Sequence, residues 1–77
     1  MKALMVTWAD AVTEDAWTEM DEAVKLEPHT IFTLGFLVKE NDDCIVLASS
    51  WDSEREAVCS SISIPKGWIL GRQEVDV

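Results

Sequence analysis

Apolar side chains fall at every second position at the start of the chain. Leu4, Val6 and Trp8 share one face of a strand predicted over residues 3–8, followed by a polar, turn-like stretch over 10–15. The period then changes. Trp17, Met20 and Val24 recur at helical spacing with Ala23 beside them, which predicts a helix of two to three turns within residues 17–28, packed on the core by that stripe. Thr18 and Asp21 are expected as a capping pair, acids crowd the front of the helix where its dipole favours them, and Pro28 is expected to end it. Period two returns over residues 29–39, with Phe32, Leu34, Phe36 and Val38 on one face and Ile31, Thr33, Gly35 and Leu37 on the other. Gly35 inside a strand signals a bulge, a bend or a close backbone approach. Further strands follow at 44–50, at 57–64 and from Trp68 onward, separated by turns at 40–43 and 52–56 and by the corner Pro65-Lys66-Gly67. Pro65 has no N–H to give a central ladder, and one lysine after one proline is no phosphate cradle, so the corner reads as architecture.

The registers of these strands conflict. A two-residue loop at Asn41-Asp42 pairs Val38 with Ile45, Phe36 with Leu47 and Phe32 with Trp51, making an apolar face. A five-residue turn at 52–56 then sets Ser63 and Ser61 against Ile45 and Leu47, with Val58, Ile62 and Ile64 turned outward. A slip of one residue exchanges the faces, so either one hairpin is shifted or both faces of the sheet are covered, the second implying a partner or an oligomer. The expected fold is mainly β (α+β): a small five-stranded antiparallel open barrel over residues 1–77, with one short helix between the first and second strands.

Composition narrows the function. At 77 residues and 48% apolar, with four Trp, the chain is one thin-cored domain and not an acidic tail. No apolar run approaches a membrane span and the N-terminus has no leader pattern, so no membrane contact and a cytoplasmic location are expected. Cys44 and Cys59 are expected as reduced, packed thiols too far apart to bridge. With His29 the only histidine, neither a zinc pattern nor a Ser-His-Asp set forms, and no metal, cofactor or enzymatic activity is expected. Asp42-Asp43 and Glu14-Asp15 read as turn and helix-front residues. Fifteen acids against six bases give a net charge of −9, which disfavours direct nucleic-acid binding.

Ile64-Pro65-Lys66-Gly67-Trp68-Ile69 and the order strand, helix, four strands resemble the small open barrels of the Sm-like and Src-homology-like type. Sm proteins set their helix before the first strand, whereas a strand comes first here, and no RNA-binding residue carries over. The whole chain also resembles short acidic accessory proteins of tailed bacteriophages. The resemblance lies in Thr7-Trp8 before an acid, Trp17-Thr18 leading a helix, Gly35-Phe36-Leu37-Val38-Lys39-Glu40, Ile45-Val46-Leu47-Ala48 and Ile64-Pro65-Lys66-Gly67. It implies a phage product acting in the bacterial host cytoplasm on the host or on phage expression.

Two functions follow from the Trp content and the charge. In the first, the chain binds a host protein stoichiometrically: Trp51, Asp52, Glu54 and Glu56, or Trp17, engage a basic patch, as an inhibitor, a modulator or a counter-defence factor. In the second, a homo-oligomer sequesters a nucleotide-like ligand between subunits, Trp68 (or Trp17) stacking on the base and Lys66 or Arg72 meeting phosphate. A surface that mimics nucleic acid is a third, weaker option.

Overall fold

The computed structural model describes residues 1–76. Five strands, β1 (Ala3–Asp10), β2 (His29–Glu40), β3 (Cys44–Asp52), β4 (Ala57–Pro65) and β5 (Ile69–Val75), form one antiparallel sheet in the order β4-β3-β2-β1-β5. A four-residue helix, α1 (Met20–Ala23), lies between β1 and β2, and a single 3-10 turn over Lys66–Trp68 makes the corner between β4 and β5. This is the mostly β, five-stranded architecture expected. The sheet is not closed into a barrel, and β4 and β5 are its two edges.

The inner face holds the core. Leu4, Val6 and Trp8 of β1, Ile45 and Leu47 of β3 and Ile64 of β4 are buried together, with Ile31, Leu37 and Ile69 packed against them. Trp8 also donates from Nε1 to the Thr33 hydroxyl at 2.9 Å. β3 passes close to β2 at Gly35. A Cβ there would lie 2.8 Å from the Ala48 carbonyl oxygen and 3.1 Å from Leu47 Cβ, so only glycine lets β3 pass this close.

β2 turns the face opposite to the one expected toward the core. Its inner residues are Ile31, Thr33, Gly35 and Leu37, while Phe32 and Leu34 are 66% and 62% exposed. A single bulge causes this. Asn41 Oδ1 accepts from the N–H groups of Asp43 and Cys44 at 2.8 and 2.9 Å, making the loop three residues long and not two. That loop sets Glu40 opposite Ile45, a shift of two residues that keeps the expected faces, and a bulge between Leu37 and Lys39 then drops one position, sets Leu37 opposite Leu47 and exchanges them.

The second hairpin is shifted as well. Asp52 pairs with Ala57, leaving a four-residue turn over 53–56 in which Asp52 Oδ1 accepts from the Glu54 and Arg55 N–H groups at 3.1 and 3.3 Å. Glu56 closes it at φ 54°. Ile64 thereby meets Ile45 and Ile62 meets Leu47, and the serine mismatch disappears. Cys44 lies opposite Pro65 and Cys59 opposite Ser50, both unbridged. Cys59 is exposed and not packed as expected.

Three cross-strand rows make up the outer face of β5, β1 and β2. Ala3 lies between Val75 and Phe36, Met5 between Gln73 and Leu34, and Thr7 between Gly71 and Phe32. Beyond Phe36 and Ala48 the ladder between β2 and β3 ends, β2 continuing with β1 alone and β3 with β4 alone. The molecule is accordingly elongated, 54 × 22 × 22 Å with a radius of gyration of 16.0 Å, where a compact chain of this length has about 11.5 Å.

Candidate functional site

The segment joining β1 to β2, residues 11–28, departs most from expectation. It carries six acids and one lysine, a net −5 of the chain's −9. Its helix covers Met20–Ala23 only and buries no residue. The Thr18-Asp21 cap does not form: Glu19 is the N-cap without a side-chain hydrogen bond, and Thr18 Oγ1 donates to the Ala16 carbonyl. The helix stops at Val24, before Pro28 can act on it. A single turn has too few hydrogen bonds to offset its own ordering entropy, and no tertiary packing adds to it.

The stripe expected in the core is therefore in solvent. Trp17 is fully exposed, Met20 and Val24 are 83% and 79% exposed, and Leu26 is about half exposed. An open hollow of about 600 Å³ beside Trp17 is bordered by Glu14, Asp15, Glu22 and Leu26. Lys25 pairs with Glu22 at 3.1 Å. Among the described residues the other five carboxylates of the segment, Glu14, Asp15, Glu19, Asp21 and Glu27, meet no cation.

The group at the end of β3 is arranged differently. Trp51 is half-buried, edge-on to Phe36 with ring centroids 6.1 Å apart, and its indole N–H is shielded from solvent with no acceptor among the described residues. Asp52 is committed to the turn and to Arg55, 3.2 Å away. Glu54 and Glu56 remain exposed. This edge thus offers two free carboxylates but no free aromatic.

Trp68, Lys66 and Arg72 all lie near the β4–β5 corner, and the two cations share a partner that spacing alone does not reveal. Lys66 Nζ donates to Glu40 Oε2 at 2.7 Å, and Arg72 pairs with the same oxygen. The Lys66 N–H also donates to the Asp43 carbonyl at 2.8 Å, pinning the corner to the β2–β3 turn. Trp68 stacks on Trp8 at 6.3 Å and 15°, leaving its other side half exposed. Both cations are thus occupied by a carboxylate of the same chain. His29 is exposed at the start of β2, opposite Asp10.

The Arg72 and Lys66 hydrogen bonds hold the Glu40 carboxyl down from the ordinary 4.5 to about 2. A depressed folded-state pKa stabilises above the unfolded value and loses that contribution as pH falls through the folded one. Glu40→Gln is therefore expected to lower the unfolding midpoint at neutral pH, and its deficit against wild type is expected to shrink between pH 4.5 and about 2. Urea midpoints of the two proteins across that window check this. A deficit constant with pH would remove Glu40 as the acid-sensitive tie.

Among the described residues no helix is long and apolar enough to cross a membrane, and no three His, Cys, Asp or Glu side chains are grouped to hold a metal. No family model, no curated protein and no solved structure matches this chain.

Proposed function

We propose that the chain is a non-enzymatic binding module that acts stoichiometrically on a protein with an apolar groove rimmed by basic residues. The observation that carries this reading is the uncovered stripe Trp17, Met20 and Val24 within a segment of net charge −5. Anchors at i, i+3 and i+7 are the spacing by which an amphipathic helix enters a groove. Each large apolar side chain withdrawn from water contributes about 1.5–3 kcal/mol, and an aromatic anchor among them is the usual centre of an interface. The unpaired acids around the stripe select a positive rim and speed encounter. On the partner, α1 would lengthen to include all three anchors, the contact supplying the packing that the free segment lacks.

A phage accessory product acting on a host protein in the bacterial cytoplasm belongs to the same proposal and rests on the whole-chain resemblance. The sequestering alternative draws less support, because Glu40 already pairs with both Lys66 and Arg72 and cancels half of the positive charge meant for phosphate.

The test is capture of host proteins on the immobilised chain, wild type against Trp17→Ala. Trp17 touches no core, so the variant is expected to keep its stability within about 0.5 kcal/mol while losing the captured protein. Raising salt from about 0.1 to 0.5 M is expected to weaken capture as the acidic flank is screened. An identical, salt-insensitive capture by both proteins would overturn the reading.

A further inference from the structure

We propose that the outer face of β5, β1 and β2 is the interface of a homodimer, covered by the same face of a second copy. The three rows defined above contain nine positions, and none is charged, although 27% of the chain is. Phe32 and Leu34 project into solvent along the β2 side of this face, and a hollow of about 210 Å³ lies between Leu34, Phe36 and Val75. The face is independent of Trp17 and of the acidic segment.

The surface area points to a missing cover. The chain exposes 5902 Å², against about 4700 Å² for a compact monomer of 8.6 kDa. The excess is about 1200 Å², and a specific interface takes roughly 600–1000 Å² from each partner. Part of this excess belongs to the extended segment 11–28, and the uncharged outer face is the other uncovered apolar surface.

Charge identifies the occupant. Two copies together bring −18 from a net −9 each, so they associate only where charge is absent, and this face meets that condition. A basic partner would gain nothing from an uncharged sheet. A two-fold axis sets Phe32 and Leu34 of each copy against the other, with the sheets about 10 Å apart, as in a β-sandwich.

The experiment is sedimentation or light scattering of the purified full chain from about 1 to 100 μM, with Phe32→Glu/Leu34→Glu beside wild type. Wild type is expected to double the 8.6 kDa mass, and to dimerise more tightly as salt rises because repulsion is screened while apolar contact is not. The double variant is expected to weaken dimerisation by roughly 100-fold with an unchanged far-UV spectrum. A wild-type monomer at about 100 μM overturns the proposal, and so does a dimer that survives the double variant. Trp17→Ala, run alongside, is expected to leave the dimer intact, and loss of the dimer in that variant also overturns it. Salt weakens partner capture and strengthens the dimer, so a failure of one reading is distinguishable from a failure of the other.

Discussion

Gly35→Val is expected to leave the chain largely unfolded at room temperature. The new side chain would begin with a Cβ 2.8 Å from a backbone oxygen, Ala48 O, and 3.1 Å from Leu47 Cβ. Neither neighbour is the loose end of a side chain. Ala48 is held in the ladder by Phe36 and Ser61, and Leu47 is fully buried. Relief therefore requires β3 to move away from β2, which separates Leu37 from Leu47 and opens the core. Overpacking a core costs about 1–3 kcal/mol where side chains can adjust, and more where backbone must shift. A domain of 77 residues has only about 4–12 kcal/mol in total. Gly35→Ala, with the same Cβ but no branch, is expected to lose about 3 kcal/mol and remain folded in part. Urea unfolding followed by far-UV circular dichroism reads both. An alanine variant within about 1 kcal/mol of wild type would show that β3 does not press on Gly35.

That approach at Gly35 was legible because a glycine inside an otherwise apolar strand has few uses. The face of β2 was not. Both of its faces are apolar, Ile31 and Leu37 on one side and Phe32, Leu34 and Phe36 on the other, so period two located the strand without choosing its inside. The choice was made by one bulge before Lys39, which drops a single position from the register. The conflict between the two hairpins was visible in advance as serines facing Leu47. Its resolution, a four-residue turn with Glu56 at positive φ, depended on hydrogen bonds to Asp52 that spacing alone does not reveal.

The stripe at Trp17 shows the opposite limit. The helical period is present in the sequence, but only Met20–Ala23 is helical and Trp17 lies outside it, because a period does not say what would cover the face it defines. With no strand packed on it, α1 shrinks to one turn, and the expected core becomes the candidate site. The Glu40 cluster could not be read at all. It joins residues 26 and 32 positions apart, and only the folding of the β4–β5 corner over the end of β2 brings them together.

Trp8→Ala is expected to cost about 4 kcal/mol, within the range for a buried Trp truncation and comparable with the lower bound of the total. Three losses coincide at this residue. Its ring is 8% exposed and fills the core between Ile31 and Ile69, which flank it on β2 and β5. Its N–H leaves the Thr33 hydroxyl without a partner. Its stack with Trp68 disappears, and that stack holds the corner from which Lys66 reaches Glu40. Trp68→Ala removes the last of these alone and is expected to cost about 1 kcal/mol. Trp17→Ala removes none of them. Equilibrium unfolding at one fixed protein concentration, needed because dimerisation would add to apparent stability, should rank the variants Trp8, Trp68, Trp17. A Trp8→Ala loss no larger than that of Trp17→Ala would mean that the inner face is not the core. The outer face, with Phe32 and Leu34, would then have to carry the fold, and the same result would withdraw those residues from any role in binding a second copy.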